Sequence, residues 1–424
     1  MKKMSWAGAA ALAMCVASAG RAAQVDGFLW PTRAERAAAA RGVEGEFGAA
    51  VALDGDVAFV GAPRSLEGGV RSGAVHAAAR TQDGDWYAAP GSPWTVSWLG
   101  AGARFGAAVA ADGGLLVVGA PGADGTGGPA SGEVVAYRFD RRSGRVLAES
   151  RLAPPPGYAG AGFGAALSID ARPGRPARLA VGAPTLGSSG PNGLVPAAGA
   201  VLIYAWRNEA WHLVRTLRAP RPTTAATFGF SLQFTDDLLV VGAPGDGVAA
   251  PGAGRVFGFD GEGSLVWELA PISEPAGARY GTSLASLDAR QLAVGVPGRG
   301  VVEIVRCVDG GIDHATLLRG ETLGWFGASL ASLGSRLFVG APTSGPSGCG
   351  RVECFSHASG AWARCRPILP EPPTSEGSFG SALAALPSSD SGGRLIVGEP
   401  RSAHACRVSA ADCHAGRALV LTVP

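Results

Sequence analysis

FGAAVALDGDVAFVGAP, residues 47–63, reads as two short apolar runs around an Asp-Gly turn, the pattern of a β-hairpin. The chain repeats it. FGAAVAADGGLLVVGAP occupies 105–121, FGFSLQFTDDLLVVGAP 228–244 and FGASLASLGSRLFVGAP 326–342. Looser copies complete the series: FGAALSIDARPGRPARLAVGAP (163–184), YGTSLASLDARQLAVGVP (280–297) and FGSALAALPSSDSGGRLIVGEP (379–400). The seven starts, at 47, 105, 163, 228, 280, 326 and 379, are 58, 58, 65, 52, 46 and 53 residues apart, a period of propeller size.

Each unit continues alike. A loop ending in Gly leads to a third apolar run, as in SGEVVAYRF (131–139) and AGRVFGFD (253–260), and a fourth run follows, often with Trp: GDWYAAP (84–90), AWHLVRTL (210–217), LVWELAP (265–271), AWARCRP (361–367). Seven units of four strands predict an all-β, seven-bladed β-propeller, and turn and breaker density disfavours helix. The last unit stops after its third run, AGRALVL (415–421), whereas DGFLWP (26–31) precedes the first FG. Pairing these two segments completes blade seven and closes the ring through an N-terminal strand, leaving only short, protected edges.

FG, a hairpin and GAP, seven times over, resemble the FG-GAP repeat of the integrin alpha-chain propeller across nearly the whole of residues 24–424, read as one domain. The residues also have a physical reading. The aromatics Phe47, Phe105, Phe163, Phe228, Tyr280, Phe326 and Phe379 can fill the space between adjacent sheets. Gly48, Gly106, Gly164, Gly229, Gly281, Gly327 and Gly380 admit close backbone approach or an unusual dihedral. Pro63, Pro121, Pro184, Pro244, Pro297, Pro342 and Pro400 lack an amide donor and end the ladder.

Composition excludes little. Charged residues are 17% of 424 and the formal net charge is +2, with no basic stripe of the kind nucleic acid requires, so no nucleic-acid partner is expected. The start, MKKMSWAGAAALAMCVASAGRAA, carries Lys2 and Lys3, an apolar stretch and an A-x-A at Ala17 and Ala19. It reads as a signal peptide over 1–19, with cleavage as late as Ala23, giving a secreted or cell-surface monomer without a transmembrane segment. Cys15 after Leu12-Ala13-Met14 resembles a lipoprotein box, although Met14 stands where that family has a small residue.

Six further cysteines, Cys307, Cys349, Cys354, Cys365, Cys406 and Cys413, suit disulfides in an exported chain, with 15 possible connectivities. Cys354 and Cys365 flank the turn HASGA (357–361), Cys406 and Cys413 can close a small loop, and Cys307 and Cys349 remain by elimination. His404, Cys406, Cys413 and His414 have the composition of a zinc site, but Cys413 and His414 are adjacent, which makes an awkward ligand pair.

The resemblance implies calcium loops of the form D-x-D-x-D-G-x-x-D at the hairpins. Here Asp54, Asp112, Asp170, Asp236 and Asp288 stand alone, and the long hairpins DARPGRPAR (170–178) and LPSSDSGGR (386–394) carry Arg where acids belong. These Asp are therefore expected to form turns, and no cofactor is expected. No HExxH and no G-x-S-x-G occurs, and the serines after FG (Ser231, Ser283, Ser329, Ser381) read as a structural repeat position. Trp86, Trp211, Trp267 and Trp362 read as blade packing rather than sugar platforms.

Variation lies in the loops after GAP and in the Pro-rich connections between blades, which in the resembled family share one ligand-binding face. The expectation is an exported, non-enzymatic recognition or adhesion module for an extracellular protein or glycan. The alternatives are an enzyme or enzyme-accessory propeller acting on polysaccharide or lipid, and a purely structural surface protein. Fold alone does not choose among them.

Overall fold

A computed structural model describes residues 23–39, 44–190, 193–236, 238–270, 275–308, 311–321, 324–388, 392–403 and 415–424. The proposed signal peptide, with Cys15, lies outside the described residues, apart from Ala23. Each repeat folds into a four-stranded antiparallel sheet in simple up-and-down order. Blade 2 is typical: Ala108–Asp112, Leu115–Ala120, Glu133–Phe139 and Val146–Leu152. First strands of successive blades touch one another around the ring, that of blade 7 returning to that of blade 1, so they are the innermost. In every blade the second strand ends one residue before the motif proline.

Ring closure follows the sequence expectation. Gln24–Leu29 pairs antiparallel with Arg417–Val423, from Gln24 opposite Thr422 to Leu29 opposite Ala418, as the outer strand of blade 7. Asp26 ties this strand to blade 1 by accepting from Arg80 at 2.9 Å and from the Trp86 indole at 3.2 Å.

The repeated FG is a type II turn. In all seven blades the amide of the residue after FG bonds to the carbonyl of the residue before it, from Ala49 to Glu46 (3.0 Å) round to Ser381 to Ser378 (3.2 Å). The turn's third residue needs a positive φ, and its glycines supply one, from +83° at Gly281 to +98° at Gly48. The aromatic at the second position is buried in every case, between blades. Phe163, for example, packs with Val117 and Val134 of blade 2 and Leu179 and Val181 of blade 3.

GAP supplies the other half of the joint. The FG glycine amide bonds back to the GAP glycine carbonyl of its own blade, as Gly106 to Gly119 at 3.0 Å. On its far side the GAP glycine touches the next blade. A Cβ built on Gly61, Gly119, Gly182, Gly242, Gly295, Gly340 or Gly398 would stand 1.9–2.2 Å from the FG glycine carbonyl of the following blade, closing with Gly398 on Gly48. FG and GAP are thus the two faces of one blade-to-blade contact.

A second strap joins neighbours. The Gly before each third strand forms a parallel bridge with the next blade's aromatic: Gly73 with Phe105, Gly132 with Phe163, Gly199 with Phe228, Gly254 with Tyr280, Gly350 with Phe379, and Gly416 with Phe47. Between blades 5 and 6 the strap is not among those bridges. The loop there is only Pro297–Gly300, and the Gly300 carbonyl accepts from Gly320 instead.

The repeated serine is structural. Ser231, Ser283 and Ser329 donate to the FG glycine carbonyls of the next blades, Gly281, Gly327 and Gly380, at 2.6–2.7 Å. Ser381 does not belong to this set: it lies one position earlier in its repeat and bonds the Ser378 carbonyl within its own turn. Each of Ser231→Ala, Ser283→Ala and Ser329→Ala is expected to cost about 1 kcal/mol in urea unfolding, and Ser381→Ala to spare the junction.

Three single 3-10 turns and one α-helix among the described residues depart from the all-strand expectation. Arg33–Ala39 is a helix. Its start is a capping box: the Thr32 hydroxyl accepts from the Glu35 amide at 3.1 Å while the Thr32 amide donates to Glu35 at 2.9 Å.

Candidate functional site: the loop-bearing face

Both variable loop sets, those after GAP and those between blades, leave from the same ends of the strands, so they share one face, and the hairpin turns occupy the other. At the top of the innermost strands lies a rim of seven equivalent residues, each just before the motif aromatic. Glu46, Arg104, Gly162, Thr227, Arg279, Trp325 and Ser378 all adopt left-handed backbone, with φ between 54° and 63°. Only one is glycine. In this region a side chain costs roughly 1–2 kcal/mol, and neither the turn nor the blade contact requires one.

The rim side chains are chemically diverse. Glu46 pairs with Arg64 at 3.2 Å. Arg279 lies over the Trp325 ring at 5.6 Å, and Trp325 is 45% exposed. Further out, Trp98 donates to Glu133 at 2.8 Å beneath Arg151, whose guanidinium lies 5.6 Å from the indole.

Beside the rim the helix Arg33–Ala39 is held by a buried knot. Glu35 accepts from the Ser65 hydroxyl at 2.6 Å and contacts His76 Nε2 at 3.0 Å. Burial alone raises the Glu35 carboxyl, but the hydrogen bonds and charge of His76, with Ser65 and Thr32, outweigh it and hold it below the ordinary range. A lowered acid contributes stability that is complete above its unfolded value and lost as pH falls through the folded one. Below about pH 4, amide exchange over 33–39 is expected to accelerate before the blades open; equal protection at pH 7 and pH 3 removes the knot's role.

The hairpin face carries the aspartates, and most are not turn formers. Asp54 accepts from the Gly114 amide of the next blade at 2.6 Å, and Asp112 from Ala171 at 2.7 Å. Asp288 caps its own turn, taking the Arg290 and Gln291 amides at 2.7 Å, and Asp170 accepts its own hairpin's Arg172 amide at 3.4 Å. Asp170 meets Arg172, Arg175 and Arg178 at 2.8 Å, and Arg172 reaches on to Asp236 of blade 4. Burial opposes its ionisation, but Arg172 and Arg178 hold the Asp170 carboxyl far below the carboxylate range. Burial pushes Asp112 up, with Asp54 and Asp170 adding to it. A cavity of about 180 Å³ opens here between Asp112, Asp170, Arg172, Phe234, Asp236 and Ser286.

Asp54 and Asp112 thus latch one blade to the next, and Arg172 ties Asp170 of blade 3 to Asp236 of blade 4. Among the described residues no group of three or more His, Cys, Asp or Glu is disposed to hold a metal ion; His404, Cys406, Cys413 and His414 lie outside them. Among the described residues, too, no helix is long and apolar enough to cross a membrane. The fourth-strand tryptophans pack against blades: Trp267 is buried in a core, Trp211, Trp362 and Trp86 lie at the edges of others.

Cys354 and Cys365 stand opposite each other, the Cys365 amide donating to the Cys354 carbonyl at 2.7 Å. Burial, then the facing Cys365 thiol, pushes the Cys354 thiol up to about 12. Cys349, by contrast, lies just before the third strand of blade 6, on the loop-bearing face, and Cys307 near the far end of Val301–Val308. Strand rise separates those two levels by about 20 Å, against the 4.4–6.8 Å between Cα atoms that a disulfide spans.

The architecture defines a seven-bladed β-propeller. A solved structure titled "Streptogramin B lyase structure" superposes with TM-score 0.54 over 90% of this chain and 94% of that one, at 8% identity, a likeness of fold alone. Residues 99–137 match the FG-GAP repeat family, and the other blades reproduce that unit's turn and contacts. No curated protein matches the chain.

Proposed function

We propose that this propeller is an exported, non-enzymatic recognition module that binds a protein or glycan through its loop-bearing face. The observation that carries it is the rim: six of seven strained left-handed positions hold side chains, all but the two arginines different, where glycine would relieve the backbone. Strain repeated at equivalent positions around the ring, exposed at Arg104 and Trp325 and half-buried at the others, supports a functional surface. The joints beneath it are uniform, which separates what holds the ring from what the ring presents.

The test is an array of glycans and surface proteins probed with the mature chain, with and without chelator. A variant with Glu46, Arg104, Thr227 and Ser378 changed to Gly is compared with Arg290→Ala on the hairpin face. Saturable binding lost in the first and kept in the second is expected; no saturable ligand for the wild type, or loss only in Arg290→Ala, ends the proposal. Export carries a redox corollary. Cys354 and Cys365 lose two hydrogens to a disulfide oxidant and join, so non-reducing peptide mapping of the secreted chain is expected to recover the two peptides as one linked species, and free thiols at both positions would refute it.

A further inference from the structure

We infer that the rim between blades 5 and 6 binds an acidic pyranoside, a sugar ring seated on Trp325 with its carboxylate or sulfate on Arg279. This rests on the recognition reading above and names its ligand. Arg279 and Trp325 are consecutive rim positions, both left-handed, at φ 60° and 59°. Their side chains meet at 5.6 Å, with the indole 45% exposed.

The charge of this pair is unbalanced. Most arginines around the loop-bearing face have a carboxylate: Arg64 has Glu46, Arg151 has Glu133, Arg255 has Asp246, Arg351 has Glu321 and Arg417 has Glu399. Among the described residues the Arg279 side chain has no hydrogen-bond or ion-pair partner, and its Nε is shut away from water without an acceptor. A half-buried guanidinium left so costs free energy that an incoming oxyanion recovers. Arg104, the other rim arginine, also lacks a carboxylate among the described residues, and the only rim acid, Glu46, is neutralised by Arg64, so the rim presents positive charge.

The position adds room. Here the loop after the second strand is the four-residue Pro297–Gly300, much shorter than Thr185–Gly199, and the Gly-to-aromatic strap of the other junctions is replaced. An indole face beside a cation suits a ring whose C–H face is apolar and whose substituent is anionic. An acidic peptide would use the cation but leave the indole idle.

The mature chain is titrated by tryptophan fluorescence and calorimetry with a heparin-derived hexasaccharide, a galacturonate hexasaccharide and maltohexaose as the neutral control. Saturable binding of at least one acidic oligosaccharide, weakened by added salt and at least tenfold weaker in both Arg279→Met and Trp325→Ala, is expected, with maltohexaose unbound. Both side chains lie at the surface rim, and unchanged urea midpoints verify the fold. Equal binding by wild type and both variants, or maltohexaose binding as well as the acids, overturns the inference. Should the array of the preceding section find a saturable protein ligand while no acidic oligosaccharide binds, this inference falls and the recognition reading stands; should the array find nothing, both fall.

Discussion

Gly119→Ala is expected to destabilise the ring by on the order of 3–5 kcal/mol, as large an effect as one methyl group can have here. Gly119 has no positive φ to lose; the damage is entirely in space. Its Cβ would sit 1.9 Å from the Gly164 carbonyl and 3.2 Å from that residue's Cα, both backbone. No rotamer change relieves a backbone clash, so blades 2 and 3 must part along the core that buries Phe163. Gly100→Ala is the control, since a Cβ there meets nothing within 4 Å, and it is expected to stay within about 0.5 kcal/mol of wild type. Urea unfolding of the two variants decides it: comparable midpoints would mean that blade spacing is adjustable and that the Gly-to-Gly joint is not what sets it.

Removing residues up to 43 is expected to abolish cooperative unfolding altogether. The truncation takes away Gln24–Leu29, exposing the outer edge of Arg417–Val423. It also removes Leu29 from the core it shares with Phe47, Val51, Ile396 and Val420, and Asp26 from Arg80 and Trp86. The truncated chain is expected to self-associate through the open edge. A synthetic peptide of residues 23–39, supplied in excess, is expected to restore a single transition whose midpoint rises with peptide concentration, as mass action requires. A truncated chain that unfolds in one step at the wild-type midpoint would show the closing strand to be dispensable.

What the sequence makes legible is whatever repeats. Seven FG–GAP units, the proline ending each second strand and the missing fourth strand of the last unit are periodic, and periodicity carries the fold. The contacts of each motif residue with the next blade are not legible, because they join positions about 50 residues apart: nothing in DGDVAF shows that Asp54 will bond Gly114 rather than its own turn. The helix had a local signal, Thr32 and Glu35 at capping-box spacing, but two turns of Ala-rich chain beside a propeller pattern are easily read as a connection. The rim had no signal at all, since Glu, Arg, Thr, Trp and Ser are not left-handed residues by propensity. It becomes visible only when seven dihedrals are compared.

The closing strand also fixes the order of events in the molecule's making. Gln24–Leu29 is synthesised before every blade, and its partner Arg417–Val423 comes nearly 400 residues later. Six blades can be completed by neighbours made within about 60 residues of one another, but the seventh waits for Arg417–Val423. Until then the molecule is an open arc with an unmatched strand at one end, exposed to any chain offering an edge. Arrival of Arg417–Val423 ends that interval, so a ribosome that stops short of this strand releases an arc rather than a slightly shorter ring.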